Sequence, residues 1–251
     1  MKRKRMSSGG RPSVLDGLYA YWLLDEVSGT RKELLRGFNM TDNGSTTSST
    51  TVVNGNQARS CLFSSGGTMF LSHDRTGIGD ISPANKAFSV SAWYQLSAAS
   101  GILIITGISA ASNIEWRLYW AAGGSQDANV FLLSNDGSST HFALTNTSTG
   151  GAGSTPTNTW IHTVGTWDPA ANVIKCYVNG VAGTPGTKAV NAGFQGTAQF
   201  GIGGGVDSGG SQSATFNGKV SNVGYWTKVL TPAEVQYIYN KNRTWPFSTP
   251  M

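Results

Sequence analysis

The chain is built of short runs in which apolar and polar residues alternate with a period of two. In 88–96, Phe88, Val90 and Ala92 fall on one face, and Ser91, Trp93 and Gln95 on the other. In 173–178, Ile174, Cys176 and Val178 share a face opposite Lys175 and Tyr177. Within 115–120, Arg117 and Tyr119 oppose Trp116, Leu118 and Trp120. Further β-rich runs occupy 18–24, 101–108, 130–133, 141–144, 160–167, 198–202 and 219–226. Between the runs recur Asn43-Gly44, Asn54-Gly55, Asp136-Gly137, Asn179-Gly180 and Asn217-Gly218, pairs suited to tight turns with positive φ. Many short strands with such turns predict an all-β sandwich.

One segment breaks the period. Thr231-Pro232-Ala233-Glu234 reads as a helix start, with Thr231 as N-cap, Pro232 at the first helical position and Glu234 reaching back to the cap. Val235, Ile238 and Tyr239 continue it as an apolar stripe, and the helix is expected to end near Asn240. Three Gly/Ser/Thr-rich stretches, 41–51, 145–157 and 203–213, are expected to be surface loops.

Composition narrows the class. Of 251 residues, 33 are Gly and only 12% are charged, which excludes a coiled coil and speaks against a helix bundle. Eight Trp, eight Tyr and ten Phe give apolar surface enough to exclude a wholly disordered chain. No apolar stretch is long enough to predict a membrane span. The net charge of +5 belongs to one end: Lys2, Arg3, Lys4, Arg5 and Arg11 carry it, and the remainder holds 13 residues of each sign. Such an arm suits contact with nucleic acid, an acidic protein surface or anionic lipid, or else is a solvated terminus. No apolar run follows it, so it does not read as a secretory signal. Cys61 and Cys176 both sit in apolar alternating runs, which predicts buried thiols; one disulfide stays open. The expected organisation is an arm over 1–13, a domain over 14–240 and a tail over 241–251.

Four blocks, in order, carry a resemblance. They are Leu18-Tyr19-Ala20-Tyr21-Trp22-Leu23-Leu24-Asp25-Glu26; Phe88-Ser89-Val90-Ser91-Ala92-Trp93; Trp160-Ile161-His162-Thr163-Val164-Gly165-Thr166-Trp167-Asp168 with Tyr177-Val178-Asn179-Gly180; and Gly218-Lys219-Val220-Ser221-Asn222-Val223 through Thr231-Pro232-Ala233-Glu234-Val235. Together they resemble the laminin-G-like, concanavalin A-like jelly rolls. The resemblance implies a two-sheet antiparallel jelly-roll sandwich with one short C-terminal helix.

The jelly rolls include glycoside hydrolases, and hydrolysis needs a pair of carboxyl groups. The only glutamates are Glu26, Glu33, Glu115 and Glu234, and none has an acid two residues away. His73, His141 and His162 show no metal or triad spacing. A non-enzyme is therefore expected. The resemblance also implies a structural Ca²⁺ as candidate cofactor, with Glu26 and Asn222 as ligands. The closing strand has Ser221 and Asn222 where the family commonly has Asp, which lowers the ligand charge. Glycan binding is the activity the family implies, and alternation offers Trp93, Gln95, Arg117, Tyr119, Lys175 and Tyr177 as one concave binding platform.

An extracellular family without an export signal suits a phage virion protein of capsid-decoration, head-fibre or tail-adhesin type. Its arm (Lys2, Arg3, Lys4, Arg5, Arg11) would dock on capsid or other virion proteins, and the jelly roll would face outward toward surface glycans, as part of a homo-oligomer. Nucleic acid enters only through the arm. The alternatives are a free or secreted carbohydrate-binding or adhesion module, and a structural subunit without ligand.

Overall fold

A computed structural model describes residues 13–53, 56–64, 69–75, 86–98, 102–110, 113–121, 128–138, 140–146, 157–187 and 194–242. The five basic arm residues and the tail beyond 242 lie outside these, as does Asn54-Gly55. The strands are β1 (Leu18–Trp22), β2 (Thr41–Asn43), β3 (Thr47–Val53), β4 (Asn56–Phe63), β5 (Phe70–His73), β6 (Phe88–Leu96), β7 (Ile102–Ala110), β8 (Asn113–Ala121), β9 (Ala128–Ser134), β10 (Thr140–Asn146), β11 (Trp160–Asp168), β12 (Val173–Val178), β13 (Val181–Ala182), β14 (Gly186–Thr187), β15 (Phe200–Ile202), β16 (Gly204–Val206), β17 (Gln212–Thr215) and β18 (Gly218–Trp226); α1 spans Pro232–Asn240.

Two antiparallel sheets pack face to face. The first runs β13-β12-β11-β6-β18-β4-β3, with β1 also on β18 and β14 on β12. The second runs β10-β9-β8-β7-β15-β5-β2, and β16 and β17 form a separate hairpin. The main core lies between the sheets. Phe88, Val90, Ala92, Tyr94 and Leu96 of β6 and Ile174, Cys176 and Val178 of β12 meet Trp116, Leu118 and Trp120 of β8 and Phe131 and Leu133 of β9. The alternation read in 88–96, 115–120 and 173–178 is thus the alternation between core and outer faces. Gly165 of β11 has no side chain where the Phe131 ring comes against it, and that close approach is what lets the sheets meet there.

Two stretches expected to be loops are strands. Segment 41–51 holds β2 and most of β3, and 203–213 holds β16 and the start of β17. β2 and β3 are edge strands, and edges are held by backbone pairing on one side with no need for apolar alternation. The greater part of 145–157 lies outside the described residues.

The turns and helix follow local chemistry. Asn179 and Gly180 take φ of 48° and 84°, the doubly positive geometry of a two-residue hairpin loop, and join β12 to β13. Thr231 Oγ1 accepts from Glu234 N, and Thr231 N donates to Glu234 Oε2, closing the expected capping box. The helix then lies on the outer face of the first sheet. There Val235, Ile238 and Leu230 bury Val164, Tyr177 and Trp226 in a second core. Cys61 and Cys176 are buried thiols not joined by a disulfide.

Candidate functional site

Register brings the aromatic residues of the outer face together. His162 of β11 stands opposite Trp93 of β6, and Trp160 opposite Gln95. The His162 ring lies 5.0 Å from that of Trp93. α1 then lays Tyr239 over the pair, with ring centroids 5.9 Å from Trp93 and 6.1 Å from His162. Each such contact is worth about 0.5–1.5 kcal/mol beyond area burial. His162 is fully buried, and neither ring nitrogen has a hydrogen-bond partner among the described residues. Burial pushes its pKa down to about 3, so the ring is neutral near pH 7.

Beside this stack a pocket of about 410 Å³ opens, lined by Trp93, Trp160, Tyr239, Asn240 and Asn242. Trp93 is only 5% exposed and serves as floor. Trp160 and Tyr239 are half-buried walls. Gln95 Nε2 donates to Asn158 O over 2.7 Å, and Asn158 N to Leu96 O over 2.8 Å; these bonds fix the turn that delivers Trp160. Asn240 Oδ1 accepts from Gln236 Nε2, which leaves the Asn240 amide N–H groups toward solvent. An aromatic pocket with carboxamides at its rim is chemically suited to a ligand that is apolar on its flat side and rich in hydroxyls at its edge.

The six residues expected to form one platform do not come together. Trp93, Gln95, Lys175 and Tyr177 belong to the first sheet, Arg117 and Tyr119 to the second. With the core between the sheets, the two sets face opposite ways. Tyr177 is sealed beneath α1 with Val235 and Ile238. Tyr119 packs with Ile114, Val130 and Leu132, its ring 4.6 Å from the Arg117 guanidinium. Period-two alternation identifies an outward side chain, but not which sheet it leaves or what covers it. Trp160, Tyr239, Asn240 and Asn242 were missed for the same reason: their meeting depends on where α1 docks.

The structure places the two expected calcium ligands in different local settings. Asn222 sits in a bulge of β18 at φ 51°. Its Oδ1 accepts from Ser221 Oγ at 2.8 Å, and its Nδ2 donates to Tyr21 Oη at 3.0 Å. Glu26 Oε1 accepts from Lys32 N, and Oε2 is buried without a hydrogen-bond partner among the described residues. Among the described residues no three His, Cys, Asp or Glu side chains converge.

The other glutamates are structural in their contacts. Glu33 Oε1 accepts from Tyr21 N and Leu35 N, and Oε2 from Arg36 N and Gly37 N. Buried Glu115 pairs with Arg75 and accepts from Gly196 N. Burial raises the Glu234 carboxyl, but the bonds from Lys228 and Thr231 outweigh that and hold it below its ordinary value.

A family model described as the concanavalin A-like lectin/glucanases superfamily matches residues 65–236. A search of the curated proteins gives no match. Among solved structures, domain 4 of AbnA, a GH43 extracellular arabinanase from Geobacillus stearothermophilus, in complex with arabinotriose, is similar at 17% identity and a TM-score of 0.60, with 88% of this chain and 98% of that one covered. The binding domain of botulinum neurotoxin DC in complex with SialylT is similar at 15% identity and a TM-score of 0.63, covering 91% and 52%. A botulinum neurotoxin type C structure, whose cell entry depends on two ganglioside molecules, is similar at 13% identity and a TM-score of 0.64, covering 92% and 53%. The chain thus spans about half the length of the toxin chains it matches.

Proposed function

The chain belongs to the concanavalin A-like lectin/glucanases superfamily, and on that footing we propose that it is a carbohydrate-recognition module without catalytic activity. Its site is the pocket of Trp93, Trp160 and Tyr239. The observation that carries this reading is the pairing of aromatic walls with the Asn240 carboxamide at one rim. Sugar rings present C–H faces that lie on aromatic surfaces, and hydroxyls that bond to carboxamides. The complexes of the arabinanase domain with arabinotriose and of the toxin domain with SialylT support a sugar ligand. The engagement of Glu33, Glu115 and Glu234 in hydrogen bonds within the fold supports recognition over hydrolysis. Calorimetry against a panel of neutral oligosaccharides tests this: wild type binds at least one, and Trp160→Ala weakens it tenfold or more. Binding that survives Trp160→Ala and Tyr239→Ala unchanged overturns the site.

We further propose that the module is displayed on a phage virion as part of a homo-oligomer, with Lys2, Arg3, Lys4, Arg5 and Arg11 as the docking arm. The observation favouring this is the charge distribution: five basic residues in the first eleven, and a balance of 13 and 13 in the rest. Mass spectrometry of density-gradient fractions tests it. Banding with particles at a fixed copy ratio is expected; presence only in soluble or cell-wall fractions overturns it in favour of a free adhesion module.

A further inference from the structure

The opposite end of β6 carries a pocket of different character. It encloses about 520 Å³ and is lined by Tyr19, Arg36, Lys86, Ala87 and Thr227. Among the described residues two cations line it and no carboxylate does. Ala87 precedes β6, and six residues of strand at about 3.3 Å each set it roughly 20 Å from Trp93.

Arg36 is held in place by its surroundings. The buried Glu33 carboxylate accepts the N–H groups of Leu35, Arg36 and Gly37, and so shapes the loop that presents Arg36. Arg36 Nε donates to Tyr19 O over 3.1 Å, and the guanidinium lies 4.4 Å from the centroid of the Tyr19 ring. Tyr19 is itself braced by Phe38, stacked at 5.7 Å, and by the edge of Tyr225 at 6.3 Å. Both terminal nitrogens of Arg36 are without a partner among the described residues. The result is a guanidinium fixed in orientation with its fork exposed, a donor pair that matches the two oxygens of an oxyanion.

We propose that this pocket is a second, anion-selective binding site whose ligand is a carboxylate-bearing sugar, held by the Arg36 fork. The saccharide part of this proposal rests on the carbohydrate-recognition reading; the oxyanion part rests on Arg36 alone.

The test is an NMR titration of the full chain that follows the Arg36 Nε–H and Trp160 Nε1–H signals together. The probes are trigalacturonate, a sulfated disaccharide, a neutral oligosaccharide, sodium acetate and sodium sulfate. Trigalacturonate is expected to shift the Arg36 signal. Arg36→Gln, with melting temperature unchanged, should weaken that binding about tenfold or more. Arg36→Lys should retain part of it, because the charge remains without the fork. A tighter response to the sulfated disaccharide than to trigalacturonate overturns the choice of carboxylate. Equal responses to acetate, sulfate and trigalacturonate overturn the sugar and leave a plain anion site. Trigalacturonate affinity unaltered in Arg36→Gln, or an Arg36 signal that no anion moves, overturns the proposal outright. A neutral sugar that moves no Trp160 signal while trigalacturonate moves Arg36 removes the first pocket and leaves the second standing.

Discussion

Trp93 and Tyr239 lie nearly parallel, their planes inclined by 18° and their centroids 5.9 Å apart, although 146 positions separate them in the chain. One ring belongs to the central strand of a sheet and the other to the helix that caps it, so the contact is both a packing joint and a wall of the pocket. Tyr239→Ala is therefore expected to have two effects. Stability should fall by about 1–2 kcal/mol, from the lost ring contact and its burial. Sugar affinity should fall more than in Tyr239→Phe, which keeps the ring. Chemical denaturation and calorimetry on the same two variants separate the effects.

The buried His162 predicts an acid limit on stability. In the unfolded chain its imidazole titrates near 6.5, and in the fold near 3. Between those values the unfolded state binds a proton that the folded state refuses. Stability from this group is thus complete above pH 6.5 and falls as the pH drops toward 3, by up to about 5 kcal/mol. His162→Phe replaces a ring whose two nitrogens have no partners among the described residues with an apolar ring of similar shape. It should leave stability at pH 7 within about 1 kcal/mol of wild type and flatten the profile between pH 6 and 4. Urea denaturation at pH 7, 5.5 and 4 reads both quantities.

The close approach at Gly165 predicts intolerance of any side chain there. A Cβ at this position overlaps the Phe131 ring in the facing sheet. Gly165→Ala should cost about 1–3 kcal/mol, as over-packing of a filled core does. The double change Gly165→Ala with Phe131→Leu should cost less than the two single costs added. Thermal unfolding of the four proteins closes the cycle.

The helix start predicts a small, local loss. Thr231→Ala removes the side-chain half of the capping box and should cost about 1 kcal/mol. Glu234→Gln keeps an acceptor for Thr231 N but removes the ion pair with Lys228, whose Nζ lies 2.6 Å from Glu234 Oε1. Its cost should be similar or smaller, and it should shrink in high salt, which the Thr231→Ala cost should not do. Melting curves at two ionic strengths distinguish the variants.

Much of this fold was legible in the chain because its central strands obey one rule throughout. β6 and β12 have the bounds that their alternation indicated, and Thr231-Pro232-Ala233-Glu234 starts a helix as its chemistry requires. β2 and β3 were not legible, because at a sheet edge Thr and Ser serve as well as Val. The binding face was half legible. Alternation pointed Trp93 and Gln95 away from the core, and they do point away. It could not reveal that Arg117 and Tyr119 leave the other sheet in the opposite direction, nor that α1 seals Tyr177 and brings Tyr239 to Trp93. Those relations depend on how sheets and helix pack, which no local pattern encodes.

β18 lies between β6 on one side and β1 and β4 on the other. During synthesis this is the last strand of the sandwich to emerge, yet it belongs in the middle of the first sheet. Until Trp226 has left the ribosome, β6 and β4 each present an unpaired edge, and β1 has no place to pair. Assembly therefore waits for nearly the whole domain, and its decisive contacts close loops of 201 to 208 residues, a topology that folds slowly. The nascent chain is a natural client for chaperones that shield strand edges. A truncation anywhere before 226 should produce an aggregating fragment instead of a smaller domain.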